Sequence, residues 1–101
     1  MVNNQQQREG SKVLVRELSH VVMFYRVVKE TQKTVWLRQL GSLIDRRFDN
    51  SEHEWGVIPD LGRESTEVIQ KRKRPNGTVK MGEYDFAIPY DPNTVYTERM
   101  L

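Results

Sequence analysis

Apolar residues crowd into three runs between Lys12 and Leu40, KVLVREL, VVMFYRVVK and TVWLRQL, and thin out on either side. The period inside these runs is ambiguous. Leu14, Leu18, Val21, Val22 and Tyr25 fit a helical stripe, whereas Val13, Val15, Phe24, Val27, Val35 and Leu37 suit strands. Two features decide for strands. The runs are dense in β-branched residues, which lose rotamer freedom in helices, and the polar break Glu30-Thr31-Gln32-Lys33 separates two matched apolar runs. The pattern predicts strand, strand, turn, strand.

From Gly41 to Phe48 the pattern allows a short helical turn, with Leu40, Leu43, Ile44 and Phe48 on one face, or a loop. Residues 49–64 carry turn formers throughout, Asn50-Ser51, Gly56, Pro59-Asp60 and Gly62. They predict an acidic, partner-facing loop with at most a short strand over Trp55, Gly56, Val57 and Ile58. Further on, EVIQKRKR and TVKMGEY flank Pro75-Asn76-Gly77, where proline presets the first turn position and Asn-Gly tolerates positive φ. That is a hairpin. A three-residue loop pairs Arg74 with Thr78 and sets Arg72, Arg74 and Lys80 on one face, while a two-residue loop sets Lys73 against Lys80 with Lys71 on their side. Either register places like charges across from each other.

Length changes the picture little: 101 residues bound one small core, with about two thirds of the unfolded surface buried. The absence of cysteine excludes disulfides, thiolate zinc sites and a cysteine nucleophile. No apolar stretch approaches the roughly 18 residues of a membrane span, and MVNNQQQREG lacks the apolar centre of a signal peptide. The expectation is a flexible tail over residues 1–10, one β domain over 11–101, and a cytoplasmic protein. The net charge of +2 hides blocks. Residues 11–47 hold eight cations against three acids, 48–70 six acids against Arg63, 71–80 five cations against none, and 81–101 four acids against one cation. Such blocks either pair with one another in the fold or make a dipolar surface that orients a charged partner.

Candidate chemistry is sparse. His20 and His53 are the only histidines, and His53 with Asp49 and Glu52 or Glu54 matches no ligand spacing. Gly62, Gly77 and Gly82 stand alone, so there is no phosphate-cradling glycine loop. An acid pair for proton transfer needs two environments that split the pKa values, and a solvated acidic loop does not supply them. The sequence predicts no enzyme, no metal site and no cofactor. Phe24, Tyr25 and Trp36, interleaved with Arg26 and Arg38, suit either a core or a stacking platform for unpaired bases. As neighbours on a strand, Phe24 and Tyr25 point to opposite faces, which predicts one in the core and one exposed or covered by the tail. Trp55, Tyr84, Phe86, Tyr90 and Tyr96 are expected to serve packing.

The stretch MFYRVVKETQKTVWLRQL, followed by VKMGEYDFAIPYDPNTVYTERML, resembles a group of small proteins carried by bacterial phages, prophages and plasmids. Those proteins read as an FYxVVKxTxKTVxLR hairpin and end in a Tyr-rich strand, a W/Y-D-x-x-P type turn and a short tail. Phe24, Tyr25, Val27, Val28, Lys29, Thr31, Lys33, Thr34, Val35, Leu37 and Arg38 match the first motif. Tyr84, Tyr90, Asp91 and Val95-Tyr96-Thr97 match the second loosely. The chain departs from the group in its Asp91-Pro92-Asn93 order and its acidic insert at 49–64. The resemblance implies a mobile-element origin in a bacterial host cell and a mainly β fold, a small, strongly bent antiparallel sheet or an SH3-like barrel of the KOW or Tudor type. It implies no active site.

Charge and resemblance together leave two functions. In one, the chain is a binding module that contacts nucleic acid or a nucleoprotein through Lys71, Arg72, Lys73, Arg74 and Lys80, with Arg26 and Arg38, mainly at the phosphate backbone. In the other it inhibits a host defence nuclease, as anti-CRISPR and anti-restriction proteins do, its acidic blocks mimicking phosphate. Mimicry calls for a strongly acidic whole, and the pI near 9.0 favours the first.

Overall fold

The computed structural model describes residues 12–101, so the predicted tail at 1–10 lies outside the described residues. Eight strands follow one another along the chain: β1 (Val13–Glu17), β2 (Val22–Glu30), β3 (Thr34–Ile44), β4 (Glu54–Glu64), β5 (Ile69–Arg72), β6 (Val79–Lys80), β7 (Phe86–Pro89) and β8 (Tyr96–Arg99). They form one antiparallel sheet in the order β6-β7-β1-β2-β3-β4-β8, with β5 beside the first half of β3. The fold is all-β, as the branched apolar runs predict, and the hydrogen-bonded path stays open. Only an isolated bridge, Lys73 to Val79, ties the end of β5 to β6. Among the described residues no helix is long and apolar enough to cross a membrane.

The central strands β1, β2 and β3 are buried on both faces. Leu14, Tyr25, Val27, Val35 and Leu37 point to one side and meet Val79, Met81 and Ala87 as β5, β6 and β7 curl over them. Val15, Val22, Phe24 and Leu40 point to the other side and meet Val57 and Tyr96 from β4 and β8. Phe24 and Tyr25 are 0% and 1% exposed. This corrects the expectation that only one of them is core: adjacent strand residues face opposite ways, and here each face has its own core. Phe24 packs edge-on against Tyr90 and Tyr96, with ring centroids 5.6 and 6.3 Å away, a geometry that ring quadrupoles favour. Tyr84, expected to pack, is instead 88% exposed.

The stretch from Gly41 to Phe48 is not helical. β3 runs on to Ile44 because Leu43 and Ile44 pair with Ile58 and Val57 of β4. A turn then starts at Asp45, whose carboxylate accepts from the Arg47 backbone and guanidinium. Asn50 closes it, donating to the Asp45 carbonyl and accepting from the Gly56 amide. A Cβ on Gly56 would stand 2.8 Å from that of Phe48, so the turn needs glycine there. The acidic stretch is corrected in the same way. Residues 54–64 form β4, an 11-residue strand, because Val57 is 2% exposed and Trp55 packs on the second core. Pro59 is tolerated because β8 pairs only with Glu54 to Val57, leaving the outer edge of β4 open beyond that point. Glu98 locks this lobe, accepting from the Val22 amide at 2.9 Å and from Trp55 Nε1 at 3.0 Å.

Phe24→Ala is therefore expected to cost about 3–5 kcal/mol in urea unfolding. Excision of residues 49–64 should abolish the cooperative transition. A shortened chain with an unchanged melting temperature would show that β4 is dispensable.

Candidate nucleic-acid interface

The hairpin after β5 takes the three-residue loop. The Arg74 amide donates to the Thr78 carbonyl at 2.8 Å, and the Gly77 amide donates to the Arg74 carbonyl at 2.9 Å. Gly77 sits at φ 87°, which a side chain would strain. An isolated bridge from Lys73 to Val79 extends this register by one pair.

The five cations of the hairpin do not share one environment. Lys71 turns inward, its ammonium donating to the Met81 carbonyl at 3.3 Å. Lys73 pairs with Glu30, which also holds Lys12 at 3.1 Å. Arg74 lies over the Phe86 ring, 4.8 Å from its centroid. Arg72 and Lys80 are exposed, with no ion pair among the described residues.

The structure adds Lys33, which the sequence analysis left out of the site. It sits in the turn between β2 and β3, and its carbonyl accepts from the Lys73 amide at 2.8 Å. Arg72 pairs with the next residue, Thr34. Lys33 and Arg72 together line two adjoining open hollows of about 580 and 280 Å³, the smaller one also bounded by Lys73 and Pro75. Only the spatial pairing of β5 with β3 brings this lysine 39 residues ahead of Arg72 to its side.

Arg26 and Arg38, the two candidate contact residues outside the hairpin, take part in an ion-pair cluster within the fold. They stand opposite each other on β2 and β3, a repulsive arrangement that Glu64 of β4 resolves. Arg26 donates two hydrogen bonds to its carboxylate, at 2.7 and 2.6 Å, and Arg38 donates one at 3.2 Å. The triad clasps β4 across the sheet at the rim of the second core. Part of the basic and acidic blocks thus pair within the fold.

Trp36, on the same face as Arg38, lies half-buried beneath Lys29, whose ammonium is 4.7 Å from the ring centroid. Among the described residues no three His, Asp or Glu side chains converge on a point that could hold a metal ion. No protein-family model, no curated protein and no solved structure matches this chain.

The carboxyl of Glu64 is held below its ordinary 4.5, first by the hydrogen bonds from Arg26. That of Glu30 is lowered chiefly by Lys73. A lowered folded value means that the stability these groups give is complete above 4.5 and is lost as pH falls through the folded values. Glu64→Gln should cost about 1–2 kcal/mol at neutral pH, and its deficit against the parent should shrink as unfolding is measured at successively lower pH below 4.5.

Proposed function

We propose that this chain is a non-enzymatic nucleic-acid-binding module that contacts the phosphate backbone through the hairpin and the turn beside it. The observation that carries the proposal is the convergence of exposed Lys33 and Arg72 on two adjoining hollows, with exposed Lys80 one residue past the Lys73–Val79 bridge and no carboxylate lining either hollow. Like charges brought together on a sheet edge repel, and an anionic polymer offsets that repulsion. Glu30, the carboxylate that holds Lys73 of the hairpin, also serves Lys12. Flexible lysine and a guanidinium on an open surface supply charge more than base-reading geometry, which suits backbone contact.

Such a module fits the mobile-element origin that the motif resemblance implies, and contact with a nucleoprotein would use the same surface. The defence-inhibitor alternative draws less support, because several of its phosphate-mimicking acids are engaged within the fold: Glu64 by Arg26 and Arg38, Asp85 by Arg16, and Glu98 by Trp55 and the Val22 amide.

If Lys33, Arg72 and Lys80 each neutralise one phosphate, the logarithm of affinity should fall with the logarithm of salt at a slope of about −3 on duplex DNA and about −2 on a single strand. Lys33→Gln with Arg72→Gln should remove nearly two units of the duplex slope, weaken unrelated sequences alike, and leave folding stability unchanged or slightly raised. Fluorescence anisotropy over a salt series measures this. Absence of salt-dependent binding to either form at low salt would refute the proposal.

A further inference from the structure

The face of the sheet that carries the second core is covered at one end only. β4 and β8 close over Phe24 and Leu40, and Glu64 marks the rim. Beyond the rim the same face continues along β3 with Thr34, Trp36 and Arg38 only half-buried among the described residues. There Trp36 lies in a cross-strand row, with Lys29 of β2 on one side and Gln70 of β5 on the other. Arg72 stands one same-face position along β5, across from Thr34.

We propose that this end of the face is a platform for single-stranded nucleic acid, in which Trp36 stacks on an unpaired base while Lys29, Lys33 and Arg72 hold the flanking phosphates. This deepens the nucleic-acid reading above and rests on it. Three observations carry it. Phe24, Tyr90 and Tyr96 are locked together in the second core, and Trp55 is tied to Glu98, so the stacking ring available on this part of the face is Trp36. The ammonium of exposed Lys29 lies over the half-buried ring, 4.7 Å from its centroid. A base can take that place and release Lys29 to a phosphate. The charge is also complementary, with cations on both sides of the ring, and Gln70 beside it offers an amide donor and acceptor to a base edge.

A duplex keeps its base faces stacked inside, so only an unpaired strand can use such a ring. Charge and one stacking face do not read the sugar 2′-hydroxyl, so the platform takes an unpaired strand of either sugar.

The test uses the Trp55→Phe chain, in which Trp36 is the only indole, with a 12-mer of thymidylate, the matching duplex and a 12-mer of uridylate. The proposal expects saturable quenching of Trp36 by the thymidylate strand and at least tenfold weaker binding of the duplex. Trp36→Leu should lose about tenfold in thymidylate affinity and Trp36→Phe much less. Should Trp36→Leu fail to fold, quenching in the folded Trp55→Phe chain decides. Salt-dependent binding of both forms with equal affinity and no quenching overturns the platform and leaves the phosphate contact standing. No binding of any oligonucleotide removes both. The thymidylate and uridylate strands should bind with similar affinity, and a tenfold preference for either would overturn recognition by charge and one stacking face alone.

Discussion

Everything in this molecule follows from the burial of β1, β2 and β3 on both faces. A strand turns successive side chains to opposite sides, so a run such as VVMFYRVV has no solvent face to offer, and two separate covers are needed. The chain builds them from the two flanks of the same sheet. β5 to β7 curl over Tyr25 and Leu37, and β4 and β8 curl the other way over Phe24 and Leu40. The register shift between Leu40 and Gly41 falls where β3 passes between these regions, and a bulge adds the local twist that such a change of direction needs.

Charge is arranged around this double curl. Glu64 and Glu30 each gather two cations from other strands, Arg26 with Arg38 and Lys12 with Lys73. Both clusters join segments distant in sequence. The Arg26 and Arg38 pair would repel across the ladder without Glu64, so the clasp both neutralises the pair and fastens β4. The hairpin shows the opposite case. Arg72 and Lys80 are exposed with no ion pair among the described residues, and Lys33 lines the same hollows as Arg72 from the neighbouring turn.

The two arrangements meet on one surface. Where β4 ends its cover, the sheet face beyond it presents Trp36, and the uncompensated cations stand next to that ring. Incomplete covering is thus what separates Phe24, wholly buried, from half-buried Trp36.

Strand character, the break at Glu30 to Lys33 and the Pro75-Asn76-Gly77 turn were legible in the sequence because they rest on local chemistry: β-branching, alternation and the φ that glycine permits. The basic cluster was legible too, since its members are neighbours in the chain. What stayed hidden depends on who lies across the ladder. Glu54 to Glu64 reads as a loop from its glycines, proline and acids, yet its pairing with β3 and β8 and the burial of Val57 make it a strand. Arg26 and Arg38 look free until Glu64 is brought over from β4, and Lys33 joins Arg72 only because β5 lies along β3. Local preference determined the strands and their turn, and only tertiary pairing decided which faces were covered, which charges were spent and which remained for a partner, because those depend on contacts between residues far apart in the chain.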